Sequence, residues 1–252
     1  MIVRPLEADT VRVRWLSVGA SDDARLPSWR RMLDDAERRR ADRFVFAADR
    51  SVYTAAHALT RAMLSEATGC GVDVWRYEEG EHGRPELASS CATEGLRFNI
   101  SHTRGLVACA IARSDVGVDV KAADWRVDFA LADSVFAPEE AATLKAAAPE
   151  DRRSLFFRFW TLKEAFIKAT GEGLRRPLNS FSFTLDPVRI RFHPERGRPA
   201  RSDDPQLWRF GEFRPAAGRR LALAVRSASP GRLRFDMRAA QPDEIAAARE
   251  AG

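Results

Sequence analysis

Lysine is scarce in this sequence, and its few copies collect around two carboxylates. Only four of the 41 basic residues are lysines, and three of them, Lys121, Lys163 and Lys168, lie within four residues of Asp119 or Glu164. An ammonium on a flexible stem suits point contacts to phosphate and can release a proton, which a guanidinium does not do readily. The pattern favours phosphate chemistry around these residues.

The two carboxylates lie in segments of different periodicity. Glu164 and Lys168 share one face of a helix because they are four residues apart. In the segment Gly117–Lys121, alternation places Asp119 and Lys121 on one strand face and the two valines on the other. Taken alone, Glu164 and Lys168 fit an ion pair on a helix surface. Asp119, taken alone, fits a structural aspartate, which needs a partner when it lies inside a strand.

Ser101 and His102 follow the apolar stretch Leu96–Ile100. A strand that ends in a turn at this point leaves a hydroxyl, an imidazole and main-chain donors to face a ligand. A hydrolytic pair is not favoured, because adjacent residues rarely align for proton transfer and no G-x-S-x-G motif surrounds the serine.

Four motifs, in this order, resemble the Sfp-type phosphopantetheinyl transferases. They are HGRP at 82–85, FNISH at 98–102, GVDV at 117–120 and FWTLKEAFIKATGEGL at 159–174. The last two form the most specific pair, and the resemblance runs from about Arg38 to Ser182. It implies an enzyme that moves the phosphopantetheine arm of coenzyme A onto a serine of an acyl or peptidyl carrier protein and releases 3′,5′-adenosine bisphosphate.

The resemblance also implies a magnesium site. Asp119 matches the family's metal-binding aspartate and Glu164 matches its second carboxylate ligand, with the metal bridging them to the diphosphate of coenzyme A. Glu164 further matches the candidate base for the carrier serine, and Lys163 and Lys168 match lysines that contact the phosphates. The predicted catalytic residues are therefore Glu164 and Lys168.

The nucleotide end of coenzyme A is implied to lie against the N-terminal half of the chain. Ser101 and His102 match residues at that end, and Arg84 takes the place of a family lysine near the nucleotide. Many relatives have an arginine where His57 stands, so a weaker or a pH-sensitive contact is expected in this chain. The candidates for contact with the 3′-phosphate are Arg40, Arg43, Arg50, His57 and Arg61, and a solvated helix face is the alternative for each arginine.

One position departs from the family pattern. Many relatives have a glutamate two residues after the metal-binding aspartate, whereas this chain has Lys121. A protonated lysine cannot bind magnesium. Three interpretations stay open: water completes the metal shell and Lys121 turns to the diphosphate or to solvent, Lys121 pairs with Asp119 and replaces the metal, or the protein is inactive. We favour the first, because magnesium commonly binds through one or two carboxylates together with phosphate and water.

The composition is that of an ordinary globular protein. The chain has 252 residues, 45% of them hydrophobic, enough for one large domain or two small lobes. No apolar run approaches the ~18 residues of a membrane span, and the N-terminus lacks a signal-peptide pattern. We therefore predict a cytoplasmic protein with no membrane partner. The three cysteines are widely spaced, which predicts reduced packing residues.

The net charge of +5 comes from one segment. Between Arg189 and Arg220, nine arginines face four acidic residues, a surplus of five, so the rest of the chain balances to zero. One interpretation is an arginine-rich solvated surface, and the other is a basic face that receives an acidic carrier domain. No aromatic-interleaved basic motif and no zinc-ligand spacing favours nucleic acid as a partner.

Periodicity predicts strands and helices in an order that occurs twice, with a division near Ser114. The predicted helices are Pro27–Phe44, Asp49–Thr68, Pro138–Ala147 and Arg152–Ala169, with a short terminal helix in Gln241–Gly252. The predicted strands are Val74–Tyr77, Leu96–Ile100, Leu106–Ala112, Gly117–Val120, Phe181–Leu185, Val188–Phe192, Leu207–Phe213 and Leu221–Val225, with a hairpin-like turn at Glu81–Pro85.

This order predicts an α+β fold of two similar lobes related by a pseudo-twofold axis. Residues 1–114 would contact the nucleotide, residues 115–252 would carry the metal-binding and catalytic residues, and the active site would lie in the cleft between the lobes. We predict a monomer, because two joined lobes build internally the cleft that a dimer of single lobes would otherwise supply.

Two other functions remain as alternatives. A magnesium-dependent hydrolase or nucleotidyl enzyme would turn over coenzyme A without any carrier. A catalytically lapsed module would bind carrier domains or coenzyme A, but the retention of Asp119, Glu164, Lys163 and Lys168 argues against it. The sequence does not indicate whether the carrier serves fatty-acid, polyketide or nonribosomal-peptide synthesis.

Overall fold

The computed structural model describes residues 3–19, 22, 24–80, 83–91, 95–123, 127, 129–196 and 203–250. The chain divides into two compact units. Unit 1 consists of Met1–Ser114 together with Arg234–Gly252, and unit 2 consists of Asp115–Leu233. Both contain helices and sheets, so the predicted α+β class is confirmed.

The helices and the strands are each numbered in chain order. The helices are α1 (Leu26–Met32), α2 (Asp35–Asp42), α3 (Ala47–Thr68), α4 (Ala130–Val135), α5 (Pro138–Ala146), α6 (Pro149–Thr170) and α7 (Pro242–Glu250). The strands are β1 (Thr10–Ser17), β2 (Tyr77–Glu79), β3 (Pro85–Leu87), β4 (Arg97–Thr103), β5 (Leu106–Ala112), β6 (Val116–Ala122), β7 (Phe181–Leu185), β8 (Val188–Phe192), β9 (Trp208–Phe213), β10 (Arg219–Arg226) and β11 (Arg234–Ala239).

Unit 1 is built on a four-stranded sheet in the order β11-β1-β5-β4. Every residue of β5 is buried, as expected for a central strand that reads as a continuous apolar run. Alternate side chains along β5, such as Val107 and Ile111, pack with Leu59 and Leu64 of α3 in the core of this unit. The helix α3 ends at Gly69, which has a φ of 80° and so adopts the left-handed conformation that glycine allows.

The C-terminal residues belong to unit 1. The strand β11 pairs in parallel with β1, with Thr10 opposite Arg234 and Trp15 opposite Ala239. The prediction assigned Arg234–Gly252 to the second lobe, so this part of the domain prediction is corrected by the strand pairing. Neither β1 nor β11 was predicted. Their parallel pairing joins segments more than 200 residues apart, so the local sequence could not identify them as partners. The predicted terminal helix is present as α7.

The predicted helix Pro27–Phe44 is two helices. Asp34 lies between them and begins α2, where its carboxylate accepts a hydrogen bond from the backbone of Glu37 at 2.9 Å. Glu37 accepts in return from the backbone of Asp34 at 2.8 Å, which completes a capping box. The spacing of these two acidic residues was a readable start signal for a second helix.

Unit 2 has a three-stranded antiparallel sheet in the order β6-β10-β9, with α6 packed on it. Proline stands at the start of α6, and Gly171 ends the helix at a φ of 76°, in agreement with the predicted stop. The core of this unit is rich in aromatic side chains, including Phe166, Phe181 and Trp208. The strands β7 and β8 form a separate hairpin.

Three smaller expectations can be compared with the structure. The hairpin β2-β3 is present, but Glu81 and His82 of its predicted turn lie outside the described residues. Cys70, Cys91 and Cys109 are free, as predicted. Within the described ranges, none of the helices combines the length and the apolar character that crossing a membrane requires.

Candidate active site

The site in unit 2 depends on a close approach between β6 and α6 at Gly117. A Cβ added at Gly117 would lie 2.5 Å from the backbone nitrogen of Ala169 and still closer to the carbonyl oxygen of Ala165. Both neighbours are backbone atoms of a packed helix and cannot turn aside, so only glycine fits at this position. The contact fixes the strand against the last turns of α6, two residues before Asp119.

Asp119 lies on the face of β6 that packs against α6. It is opposite Ala222 of β10, a core residue of this unit, and its side chain has no exposed surface. The Nζ of Lys168 donates a hydrogen bond to Asp119 Oδ1 at 2.6 Å and a longer one to the carbonyl oxygen of Val118 at 3.3 Å. The strand aspartate therefore has the partner that its burial requires.

Glu164 lies one turn before Lys168 on α6 and is half-buried. Burial raises the pKa of Glu164 above its ordinary value, and repulsion from Asp119 adds to the increase, although Lys168 and Lys121 act in the opposite direction. Among the residues that the structure describes, no group donates a hydrogen bond to the side-chain carboxylate of Glu164. A carboxylate near a second carboxylate, with a raised pKa, is suited to accept a proton or share a cation.

Lys121 lies at the edge of this group. Its Nζ is 3.9 Å from Asp119 Oδ1, at the limit of an ion pair, and a third of its side chain is exposed. Lys168 is far closer to the aspartate than Lys121 is. Lys121 lies on the same strand face as Asp119, as predicted from the alternation of side chains. The direct contact with Asp119 is made by Lys168 of α6.

Lys163 does not lie with Glu164. Its side chain is fully buried in the core of unit 2, where Nζ lies 2.8 Å from a carboxylate oxygen of Glu140. The same Nζ donates to the carbonyl oxygens of Leu178 at 2.7 Å and Phe181 at 2.6 Å. Burial lowers the pKa of Lys163, and Glu140 offsets part of this effect. An ammonium has three donors, and all are used, so the structure does not support the predicted phosphate contact of Lys163.

The donor set formed by Asp119 and Glu164 fits a hard divalent cation. Both groups offer carboxylate oxygens, which magnesium prefers. Burial is the main cause of the raised pKa of Glu164, and a cation between the two groups would relieve the repulsion from Asp119 that adds to it. In the described part of the chain no cluster of three or more acidic, histidine or cysteine residues is placed to hold a metal. The two carboxylates would therefore supply only part of an octahedral shell, and phosphate and water oxygens would supply the rest.

Arg61 of unit 1 is a structural residue. Its side chain is fully buried and lies 2.6 Å from Glu37 and 3.1 Å from Asp34, and it donates to the carbonyl oxygen of Val72 at 2.8 Å. The guanidinium carbon also lies 5.3 Å from the centre of the Tyr77 ring. The predicted contact of Arg61 with the 3′-phosphate is not supported, because its donors are committed to the core.

His57 is tied to the same carboxylate. Its Nδ1 lies 2.6 Å from Glu37 Oε1, its ring centre is 4.1 Å from that of Tyr53, and 17% of its side chain is exposed. The pKa of Glu37 is lowered, because the contacts with His57 and Arg61 outweigh the burial that raises it. Any contact of His57 with phosphate would compete with this pair.

Other predicted nucleotide contacts in unit 1 are more accessible. Arg43 ends α2 and is exposed, as is Arg40. Arg50, in the first turns of α3, is exposed and donates to the carbonyl oxygen of Phe44 at 3.2 Å. Arg84 is half-buried, and its Nη2 lies 3.4 Å from the carbonyl oxygen of Phe98 on β4.

Ser101 and His102 lie within β4 and not after its end. They pair with Ala108 and Val107 of β5, and the hairpin turn follows them, at residues 104–105. Because side chains alternate along a strand, Ser101 and His102 point to opposite faces of the sheet. Ser101 is buried and His102 is exposed.

The sequence reasoning missed three residues that support these groups. Gly117 was read only as part of a motif, although a glycine inside a strand commonly marks a close approach of another backbone. Glu37 could have been found from the capping-box spacing with Asp34. Glu140 left no local signal, because its contact with Lys163 joins two helices through the core.

A strand aspartate, a helix glutamate and a lysine that touches the aspartate define a class of site, one that can hold a divalent cation beside a phosphate group. Two family models match the chain in series around it. The model described as 4′-phosphopantetheinyl transferase superfamily matches residues 115–225, and the model described as 4′-phosphopantetheinyl transferase, N-terminal, matches residues 22–114.

Curated relatives carry the same family name. The chain is 31% identical over 195 residues to the 4′-phosphopantetheinyl transferase HetI of Nostoc, a match that covers 77% of this chain and 78% of that protein. It is 33% identical over 128 residues to a 4′-phosphopantetheinyl transferase of Bacillus subtilis, covering 50% of this chain and 55% of that protein. The chain therefore belongs to the 4′-phosphopantetheinyl transferase superfamily, and the predicted family and enzyme class are confirmed.

Proposed function

We propose that this protein moves the phosphopantetheine arm of coenzyme A onto a serine of an apo carrier protein and that Asp119 and Glu164 form the centre of the reaction. The observation that carries the proposal is the group in unit 2, where the close contact of β6 and α6 places Asp119, held by Lys168 at 2.6 Å, beside Glu164. Burial, and secondly the charge of Asp119, raise the pKa of Glu164. Membership of the transferase superfamily supports the choice of reaction.

Asp119 and Glu164 are the residues that would hold magnesium. The ion, when bound, would neutralise charge on the diphosphate of coenzyme A. The role of this chain is to keep the two carboxylates at the junction of β6 and α6, which the Gly117 contact fixes. A rigid position for both groups matters, because positioning and electrostatic stabilisation supply most of the catalysis in phosphoryl-type transfers.

Glu164 would accept the proton of the attacking serine hydroxyl, directly or through one water. Its raised pKa supports this role, since a general base works best when its pKa lies closer to the operating pH. Within the described residues, no group donates a hydrogen bond to the Glu164 carboxylate. This also supports the role, because no hydrogen bond has to be broken before the carboxylate accepts a proton.

Lys168 and Lys121 would provide positive charge to the diphosphate. The side chain of Lys168 is 27% exposed and that of Lys121 is 33% exposed, so both lysines are partly accessible beside Asp119. Lys168 would therefore act as a catalytic residue. Lys163 would not contact the phosphates, because it is enclosed in the core.

Unit 1 would bind the nucleotide end of coenzyme A. The exposed His102 and the accessible Arg43, Arg50 and Arg84 are the candidates for the 3′-phosphate and the base, with Ser101 close to them on β4. His57 is retained only as a contact that competes with Glu37.

The protein partner would be an acidic acyl or peptidyl carrier domain. Exposed arginines on β8, Arg189 and Arg191, belong to the basic segment that could receive it. We further propose that the protein acts as a monomer in the cytoplasm, where carrier proteins of fatty-acid, polyketide and nonribosomal-peptide synthesis would be available.

The test is a transfer assay read by mass spectrometry of the carrier. The protein is incubated with coenzyme A, magnesium and each of several apo carrier proteins, and the carrier is expected to gain the mass of one phosphopantetheine arm. Consumption of coenzyme A without modification of any carrier would favour a hydrolase. Binding of carrier or coenzyme A without any reaction would favour a lapsed binding module, and either result would refute the proposal.

A further inference from the structure

Three cations lie side by side across the sheet of unit 2, next to the candidate active site. Lys121 of β6 pairs with Arg220 of β10, and the next residue of β10, Leu221, pairs with Phe213 at the end of β9. Arg214 follows Phe213 in the chain, so it lies beside Arg220 on the side away from Lys121. We call Lys121, Arg220 and Arg214 the basic row.

The charges of the basic row repel one another. Residues that are directly opposite on paired strands share one face of the sheet, and like charges at such positions are destabilising. Burial lowers the pKa of Arg220 below its ordinary value, and repulsion from Arg214 adds to this effect. The guanidinium groups of Arg220 and Arg214 are therefore close enough to interact.

The described part of the chain does not neutralise the two arginines of the row. Arg220 is half-buried and donates a hydrogen bond to the hydroxyl of Ser154 on α6, whereas Arg214 is exposed. Glu212 attracts Arg220 at longer range, but its carboxylate lies 2.7 Å from a nitrogen of Arg158. No described carboxylate forms an ion pair with Arg214 or Arg220, so both can bind an anion from outside the chain.

The row begins at the candidate active site. The Nζ of Lys121 lies 3.9 Å from Asp119 Oδ1. Burial raises the pKa of Glu164, and Lys121 acts in the opposite direction, so Lys121 is also near the proposed base. A protein that brings a serine hydroxyl to Glu164 therefore meets this end of the basic row.

The spacing of the row indicates the kind of anion that it fits. Neighbouring strands lie ~4.8 Å apart, so three residues in a row extend over ~10 Å. A diphosphate beside Asp119 and Lys121 covers only one end of the row, because its two phosphorus atoms share one bridging oxygen. Acidic side chains on successive turns of a helix are ~5.4 Å apart along its axis, which is close to the spacing of Arg220 and Arg214.

We propose that Arg220 and Arg214 bind an acidic helix of the carrier protein, with carboxylates on successive turns of that helix facing the two arginines. Lys121 then lies between this helix and the diphosphate of coenzyme A. The identity of the partner rests on the proposed function. The contact places the carrier beside Glu164 and leaves Arg189 and Arg191 of β8 outside the docking surface.

Charge reversal at Arg214 tests the proposal. Arg214→Glu removes one cation, and the new carboxylate also neutralises Arg220. At low salt, this variant is expected to lower kcat/KM for an apo carrier protein at least about 5-fold and to leave KM for coenzyme A unchanged. The loss should disappear as NaCl is raised toward ~1 M, where the Debye length falls to ~3 Å. Arg214→Gln should give an intermediate loss, because Arg220 keeps its charge.

Arg232→Glu is the matched control. Arg232 is exposed, forms no ion pair within the described residues, and follows the end of β10 that is opposite to Arg220. It undergoes the same change of charge as Arg214→Glu, so a general effect of net charge would appear in both variants. The control should keep the kcat/KM of the parent, and both variants should keep its melting temperature.

An exchange of charges identifies the partner residue. Each acidic residue within two helical turns of the modified serine is replaced in turn by arginine in the carrier. One of these carriers should recover kcat/KM with Arg214→Glu, because the two charges of the pair are then exchanged. Binding of the same apo carriers without coenzyme A, followed by fluorescence anisotropy, should show the same dependence and does not require transfer.

The outcomes separate this inference from the proposed function. If no carrier is modified but binding still depends on Arg214, the docking surface stands and the proposed transfer fails. Modification of carriers with equal kcat/KM in Arg214→Glu and Arg232→Glu would overturn the docking surface and leave the transfer intact. A raised KM for coenzyme A in Arg214→Glu would assign the row to the diphosphate. Binding of a short RNA duplex that is lost in Arg214→Glu, with unchanged carrier kinetics, would assign it to nucleic acid.

Discussion

Lys163 and Lys168 have the same side chain and lie five residues apart on α6, yet they occupy opposite environments. Lys163 is enclosed among Glu140, two carbonyl oxygens and aromatic rings, whereas Lys168 reaches the surface beside Asp119. Both lysines match lysines of the family motif, but the motif does not indicate which face of the helix is buried. That information comes from the packing of α5, α6 and the β7-β8 hairpin around Lys163.

Replacing Lys163 should therefore damage stability and not substrate binding. Lys163→Met leaves the buried carboxylate of Glu140 without its cation, and breaking a buried pair in this way costs about 3–5 kcal/mol. Urea denaturation should show this loss, while KM for coenzyme A stays unchanged in the folded fraction. Lys145→Met, at a lysine with a 69% exposed side chain, is the matched control. A raised KM with unchanged stability would restore the phosphate contact of Lys163.

Glu37 makes the stability of unit 1 sensitive to acid. Its pKa is lowered from the ordinary value of 4.5, because His57 and Arg61 outweigh the effect of burial. A carboxylate with a depressed folded-state pKa contributes stability above its ordinary value and loses that contribution as the pH falls through the folded-state value.

Glu37→Gln removes this contribution and should lower the free energy of unfolding by at least about 2 kcal/mol at neutral pH, since Arg61 loses its closest carboxylate. The difference between parent and variant should shrink as the pH falls below 4.5. Urea denaturation over this pH range measures both effects, with Glu79→Gln, at an exposed glutamate, as the control. A difference that stays constant into acid would contradict the assignment.

At the scale of elements, the contact between β6 and α6 positions the candidate active site. The strand carries Asp119, the helix carries Glu164 and Lys168, and the two elements touch where Gly117 meets Ala165 and Ala169. The small side chains on both elements let the backbones approach closely, and this approach brings the carboxylates near each other.

Gly117→Ala should separate the two elements. The added methyl group would collide with backbone atoms of α6 and cost about 1–3 kcal/mol, as overpacking typically does. Transfer activity should fall more than stability predicts, because the two carboxylates move apart. Gly231→Ala is the control, since a Cβ at Gly231 meets nothing within 4 Å. Full activity in Gly117→Ala at unchanged stability would mean that the contact does not position the site.

The elements around this contact were readable from sequence because their signals are local. The long helix α6 has a proline at its start, a glycine at its end and strong apolar content, and β5 is a continuous apolar run. In contrast, β1 reads as Thr-Val-Arg-Val-Arg, which resembles a half-exposed strand. Arg12 and Arg14 are nevertheless buried, because Asp236 of β11 lies opposite them, and no local pattern connects these residues.

In the proposed function, residues of unit 1 contact the nucleotide end of coenzyme A and residues of unit 2 contact the diphosphate. His102 is the residue of unit 1 on which this division can be tested, because it is exposed on β4 and was assigned by resemblance alone. The exposed arginines of α2 and α3 could substitute for one another, which makes single variants at those positions less informative.

His102→Ala should weaken coenzyme A mainly through the 3′-phosphate. The loss in kcat/KM measured with coenzyme A should shrink when 3′-dephospho-coenzyme A is the donor. This donor has no 3′-phosphate, so it makes no phosphate contact with residue 102 in either the parent or the variant. Equal losses with both donors would remove His102 from that role. The variant should fold normally, since the side chain is exposed at the surface.

In the proposed mechanism, Asp119 and Glu164 together carry the transfer, and Lys121 does not replace a metal. The measurement is the rate of phosphopantetheine transfer across a magnesium titration for Asp119→Ala, Glu164→Ala, Lys121→Ala and Lys121→Glu. The first two should each lose at least about 10²-fold, as expected for groups that stabilise developing charge. Lys121→Ala should lose far less, because its ammonium lies 3.9 Å from Asp119 while Lys168 makes the direct contact. Lys121→Glu should remain active. Full activity in a chelator, or a loss in Lys121→Ala as deep as that in Asp119→Ala, would show that Lys121 has taken the place of the metal.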